Sequence, residues 1–382
     1  TELTPDEGES GFSWTWYPHP AETTRPGYPT DDKSRQAYAE RYGRQHIDAM
    51  EPWTPNPKGR LEPRGEVNVW VQDLLAGGQY ATAWSQAQAG STRRHFVSIA
   101  KGYPEATAAD TAVAEVERCA ASDRDRWIDA HRQWWHDYFS KSYVQLPDPQ
   151  IEALYWQTVY RLGCTSRAGR FYIDTSGLWF QGGSWAYTTH DWNTQAAHWG
   201  VYSANRLEQG RDLVDRLHRY QQNLIESVRP REWQEDCAYL ALATVGDMIG
   251  ERDGDMRYYD LVGCLPWVLH NAWWQYRFSM DGDMLREKIF PLLRRAVNLY
   301  LRLAEEGEDG RIHLAPTYSP ETGVYRDANF DLALFKWGCH TLLHACKRLD
   351  IDDELIPRWQ DVVERLVEFP TDGESFMLAG DE

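Results

Sequence analysis

The 382-residue chain reads as mainly α: long antiparallel helices of the toroid or solenoid kind, preceded by a short β region. Three observations predict this. Helical apolar periodicity runs almost without interruption from Pro104 onward, the helices are joined by short Gly- or Asp-containing turns, and convincing β alternation is confined to two stretches before residue 103.

Residues 1 to about 65 are rich in Pro, Gly, Thr and charge, broken by one expected helix around "DDKSRQAYAERYGRQHIDAM". "EVNVWVQ" and "HFVSIAKG" then alternate like half-buried strands. "TAADTAVAEVERCAA" and "RDRWIDAHRQWWHDYFSKS" are amphipathic and end at "LPDP". In "DPQIEALYWQTVYRLGC", Asp148 is placed to cap and Pro149 to open a helix whose Ile151, Leu154, Tyr155, Thr158, Val159 and Leu162 form one face. Helices are expected at about 194–228, 235–249, 262–279, 283–305, 329–349 and 352–368. No repeat of fixed period appears, which argues against TPR or ankyrin arrays. About seven helices follow residue 148, fewer than the twelve of a closed six-hairpin toroid, and "TDGESFMLAGDE" has no capping character. The expectation is therefore part of a longer region. The domain boundaries expected are 1–103 (the tail of a β-sandwich with an irregular start), 104–147 (a helical linker) and 148–382 (a partial toroid).

The net charge of −18 repels phosphate backbones and anionic lipid, which speaks against nucleic acid and membrane partners. No run approaches eighteen apolar residues. Six cysteines stand without a C-x-x-C pair or zinc-like spacing, so no metal framework is expected. The Walker, dinucleotide, G-x-S-x-G and H-E-x-x-H motifs are missing, and no cofactor is expected. The outlying statistic is 19 Trp and 21 Tyr. Flat rings with a polar tip suit sugar faces.

Three constellations carry chemistry. "YTTHDWNTQAAHW", preceded by a Gly-rich loop with Trp179 and Trp185, gathers His190, Asp191, Trp192 and Asn193. Asp191, Asn193 and Gln195 alternate, so an extended segment would aim them one way; the competing reading is a helix cap at Asp191 or Asn193. "HLAPTYSPETGVYRD" places Glu321 on a loop between strong helices, with Tyr318, Tyr325 and Arg326 near it. With Asp191 it makes a candidate carboxylate pair, the tool of glycoside hydrolysis. "CLPWVLHNAWWQYRF" puts His270 and Trp274 on one helical face with Trp267, facing either a core or a central funnel.

The order "TSRAGRFYIDTSGLWFQGGSWAYTTHDWNTQAAHW", "WVLHNAWWQYRFSMDGDMLREKIFPLLRRAVNLYL", "DGRIHLAPTYSPETG" and "NFDLALFKWGCHTLLHACKRLDIDDELIPRWQDVVERL" resembles the catalytic region of the α-L-fucosidases of glycoside hydrolase family 95, over about residues 150–382. The resemblance implies an (α/α)6 barrel and exo-acting hydrolysis of terminal α-L-fucosyl or related α-L-glycosidic bonds with inversion, without metal or cofactor, on an oligosaccharide or glycoconjugate. It implies that Glu321 of S-P-E is the general acid, with the family's water-positioning N-x-N pair falling on Asp191 and Asn193. The first amide is a carboxylate here. The family's base, an Asp in a Gly-rich segment further on, has no counterpart before residue 382. Either the base lies beyond, with Asp191 in support, which is the reading preferred at this point, or Asp191 itself takes the proton from water. His190, Trp192, Trp179, His270, Trp274 and Tyr318 are the expected substrate contacts. A glycosidase for another sugar, a binding relative without turnover, or a polysaccharide lyase using Tyr and His remain alternatives. A secreted or cell-envelope address is expected, its signal not visible in this chain.

Overall fold

The computed structural model describes residues 1–4, 6–7, 16–21, 32–33, 36, 55–75, 77–167, 169, 172–173, 188–250 and 261–380. The helix expected around residues 31–50, the Gly-rich loop with Trp185, and Trp179 lie largely or wholly outside them. The described chain falls into two compact units, one up to His136 and one from Asp137.

In the first unit an antiparallel sheet runs in the order β1 (Glu2–Leu3), β5 (Thr92–Gly102), β4 (Gln79–Ala89), β3 (Val67–Asp73), β2 (Arg60–Arg64). Val67, Val69 and Val71 alternate inward, as the period of two requires, and meet Ala81 and Ala83 of the next strand. Helix α1 (Ala108–Ala121) lays Ala108, Ala109, Ala112, Val113 and Val116 on that face. This stretch had been read as linker; its small side chains instead let it close the sheet. Helix α2 (Arg124–Phe139) runs from the first unit into the second. Two strands, β2 and β4, escaped the sequence reading. "QYATAWSQAQA" is built of residues with weak strand preference, and pairing to β3 and β5 on both sides overrides that preference.

The second unit is helical. Helix α3 (Pro149–Thr165) begins as expected, with the Asp148 carboxylate accepting from Gln150 N–H at 2.8 Å. Its expected inner face is corrected: Ile151 and Leu154 are 57% and 60% exposed, and the helix buries Val159 and Gly163. After β6 (Thr188–Thr189) come α4 (Asn193–Ser203), α5 (Leu207–Arg219) and α6 (Gln221–Glu226), where one long helix was expected. The helix expected over 235–249 is also corrected. There a 3-10 turn (Arg231–Glu235) leads into irregular chain and β7 (Ala243–Thr244), which pairs with β6. Cys237, Ala238, Tyr239 and Leu240 are buried in succession, which suits a segment enclosed on all sides, and Tyr239 N–H bonds to Leu224 C=O.

Helix α7 (Cys264–Ser279), a helical turn at Gly282–Met284 with a π turn at Leu285–Ile289, and α8 (Phe290–Leu303) follow. Two small hairpins interrupt the helices: β8 (Ala304–Glu306) with β9 (Ile312–Leu314), and β10 (Thr317–Ser319) with β11 (Gly323–Tyr325). Helices α9 (Asn329–Leu349) and α10 (Ile356–Arg365) complete the unit. One core joins them. Leu332, Phe335, Cys339, Leu342 and Ala345 of α9 recur every three or four residues and pack with Val268, Leu269, Ala272, Val297 and Tyr300 of α7 and α8. All six cysteines are thiols; Cys237, Cys264, Cys339 and Cys346 are buried.

Candidate active site

The site is assembled from two turns and one helix face. The first turn joins β6 to α4. Asn193 N–H bonds to Asp191 C=O at 2.8 Å, closing a three-residue γ-turn about Trp192, whose φ of 65° and ψ of −38° are rare for a bulky side chain. The turn leaves Asp191 and Asn193 half-buried and the Trp192 indole 55% exposed. The alternation expected for an extended segment does not occur, because α4 starts at Asn193. Gln195 is fully buried instead, its amide donating to His190 C=O at 2.8 Å while Asn271 of α7 donates to its own carbonyl. Neither Asp191 nor Asn193 caps α4 with its side chain.

The second turn is the tip of the β10–β11 hairpin. Ser319 C=O accepts from Thr322 N–H at 3.2 Å, Pro320 holds the second position and Glu321 the third at φ 59°, the arrangement of a type II turn that glycine usually fills there. Pro320 explains the turn; Glu321 takes the left-handed position without being glycine, a strain of the kind that collects at functional sites. The glutamate is exposed.

The two turns meet electrostatically. Burial, and then the charge of Glu321, push the Asp191 carboxyl up to about 6. Burial also raises the thiol of Cys264, at the start of α7, and Asp191 and Asp331 both add to that rise. Asp331, in the first turn of α9, is fully buried; its Oδ1 accepts from Tyr300 Oη at 2.7 Å and its Oδ2 from Thr317 Oγ1 at 2.5 Å. Nothing in the sequence singled it out, since an Asp in a first helical turn ordinarily complements the helix dipole from the surface.

The other expected contacts divide. His270 and Trp274 lie on one side of α7 with ring centroids 5.0 Å apart, and Trp337 of α9 stands 4.9 Å from His270, a half-buried aromatic wall in which burial holds the imidazole below its ordinary pKa and neutral. Tyr318 is half-buried in the hairpin's first limb. His190 is placed differently from expectation. It is fully buried beneath the first turn, Nε2 bonded to Thr244 Oγ1 at 2.8 Å, and burial drives its pKa down to about 3. In this structure it supports the turn rather than facing a ligand. Arg326 turns away from Glu321 to pair with Glu305 at 2.8 Å. Among the described residues no three His, Cys, Asp or Glu side chains gather as metal ligands would, and no helix is long and apolar enough to cross a membrane.

Comparison with known proteins places this geometry. A solved chain titled a putative kojibiose phosphorylase from human microbiome shares the fold over 84% of this chain and 49% of its own, with a TM-score of 0.63 at 10% identity. Probable alpha-fucosidase A of Aspergillus niger is 26% identical over 199 residues, covering 48% of this chain and 24% of that protein, so the chain spans about a quarter of this relative's length. The model of the Glycosyl hydrolase family 95 catalytic domain matches residues 129–375, a span that takes in both turns and the helices that hold them, and the chain belongs to that family.

Proposed function

We propose that this chain carries the site of an exo-acting, inverting glycoside hydrolase for terminal α-L-fucosyl or closely related α-L-glycosidic bonds, built on an (α/α) toroid. The observation that carries the reading is the coupling of Asp191 to Glu321, a carboxylate pair on two turns within a matched hydrolase domain. The name of the Aspergillus niger relative supports the choice of fucose, and the fold likeness and the antiparallel helices of the second unit support the toroid.

Glu321, protonated, donates its proton to the glycosidic oxygen as the bond to the anomeric carbon breaks. Water attacks that carbon from the opposite face, gives its proton to a carboxylate, and leaves the sugar as the β-anomer. Trp192, Trp274 and His270 offer rings to the apolar faces of a pyranose, and Asn193 an amide to the water or a hydroxyl.

The raised carboxyl of Asp191 favours a second assignment on the water side, in which Asp191 itself is the base. Two carboxylates that feel one another share one proton over a range of pH, so a protonated Glu321 goes with an ionised Asp191, the state the reaction needs.

The test is proton NMR of methyl α-L-fucoside and methyl α-L-galactoside incubated with the protein, Glu321→Gln and Asp191→Asn. The expected result is a sugar first seen as the β-anomer, with turnover down by about 10²-fold or more in Glu321→Gln. Release of the α-anomer would overturn inversion. An unsaturated product absorbing in the ultraviolet would indicate a lyase, and full activity in Asp191→Asn would put the base elsewhere.

A further inference from the structure

The hairpin that carries Glu321 has only three paired residues in each limb, too few to hold its own shape in water. Two carboxylates fasten it. On the return limb, Asp327 accepts from Leu314 N–H and bonds the His313 ring, both at 2.7 Å. On the outgoing limb the Thr317 hydroxyl donates to Asp331, which is held from the other side by Tyr300 of α8.

The two anchors differ in cost. Asp327 lies near the surface beside a histidine. Asp331 is sealed in the core with hydroxyls for its partners, and burial lifts its carboxyl to about 6 against the pull of Thr317 and Tyr300. A leucine facing a valine would fill such a space at lower free energy than a buried carboxylate. A costly group kept where apolar packing would serve stability better points to a requirement for position. Cys264 feels both Asp331 and Asp191, which puts Asp331 on the inner side of the candidate site.

We infer that Asp331 is a positioning residue: its carboxylate, fixed between α8 and α9, anchors Thr317 and thereby sets where the turn presents Glu321. The inference rests on the reading of Glu321 as proton donor. Asp331 touches no substrate atom in this scheme, and its effect passes through Thr317.

The experiment compares the full chain with Thr317→Val, Thr317→Ser, Asp331→Asn and Glu321→Gln by two readouts. The first is amide hydrogen exchange over residues 318–325. The second is turnover of methyl α-L-fucoside, which needs a proton donor, against α-L-fucosyl fluoride, which does not. Thr317→Val keeps the buried carboxylate bonded to Tyr300 and so guards against Asp331→Asn failing to fold. Thr317→Val is expected to speed exchange in the hairpin by about tenfold while leaving α9 protected. It is also expected to slow the methyl glycoside by about 10²-fold and the fluoride by less than about threefold, the selective pattern of Glu321→Gln, with Thr317→Ser restoring both readouts. Unchanged hairpin exchange in Thr317→Val, or equal loss on both substrates that serine does not restore, would overturn the inference. If the unaltered protein turns over neither compound, the functional reading fails, and hydrogen exchange alone decides the anchor.

Discussion

A carboxyl pushed to about 6, as at Asp191, is half protonated at a pH where an ordinary aspartate is fully ionised. Burial is the larger cause and the charge of Glu321 the second, so the two can be separated by substitution. Glu321→Gln removes the charge and leaves the burial. The Asp191 titration, followed by carbon NMR of the carboxyl, should therefore fall below its unaltered value yet stay above that of an exposed aspartate. A titration that does not move would mean that Glu321 and Asp191 do not share a site. The same residues show what a sequence conveys. Glu321 is legible because Ser-Pro before it and Thr-Gly after it describe a turn, and a glutamate at the tip of a turn is available for chemistry. Asp331 is not, because its role depends on Tyr300 and Thr317, 31 and 14 residues away, meeting it in the core.

At the scale of elements, the γ-turn at Trp192 makes a backbone prediction. A side chain at φ 65° costs of order 1 kcal/mol or more, which glycine escapes. Trp192→Gly should therefore be more stable than Trp192→Ala by about 1 kcal/mol in urea unfolding, the reverse of the order in ordinary chain, where glycine's freedom when unfolded counts against it. Equal stabilities would show that the turn relaxes once the indole is gone. Helix α9 matches its expected limits, 329–349, because a full apolar stripe reports burial directly. The segment after residue 235 misled for the opposite reason. Its apolar run is real, but its hydrogen bonds go to Leu224 and His190 rather than along a helix, and periodicity cannot tell a buried irregular strand from a buried helix. The hairpins around Glu321 are too short to carry any period at all.

For the whole molecule, acid stability turns on four buried groups of opposite sign. His190 and His198 are held neutral by burial, with pKa values near 3 and 4 against 6.5 when exposed. Below 6.5 the unfolded chain takes up protons that the native state refuses, so each histidine lowers stability as pH falls, by up to about 1.4 kcal/mol per pH unit. Asp191 and Asp331, raised from 3.8 to about 6, act the other way. Between those values the native state binds their protons more tightly, so their contribution is full below 3.8 and lost as pH rises through 6. From about pH 6 down to 4 the two pairs largely cancel. His198→Asn should uncover the balance: relative to the unaltered protein, the variant gains about 1.4 kcal/mol for each unit of acidification from pH 6.5 toward 4, measured by urea unfolding at several pH values. A difference independent of pH would mean that His198 protonates freely in the native state.

The burial of four thiols has a consequence for how the chain comes into being. Burial raises the pKa of Cys237 to about 12 and of Cys346 to about 11, and Cys264 and Cys339 also lie well above an exposed thiol. Once folded, the second unit offers an oxidant little reactive sulfur. The unfolded chain offers all of it. In oxidising surroundings, maturation is therefore a race between core closure and thiol oxidation, and a cross-link formed too early would trap sulfur that the native core uses only as a small apolar side chain.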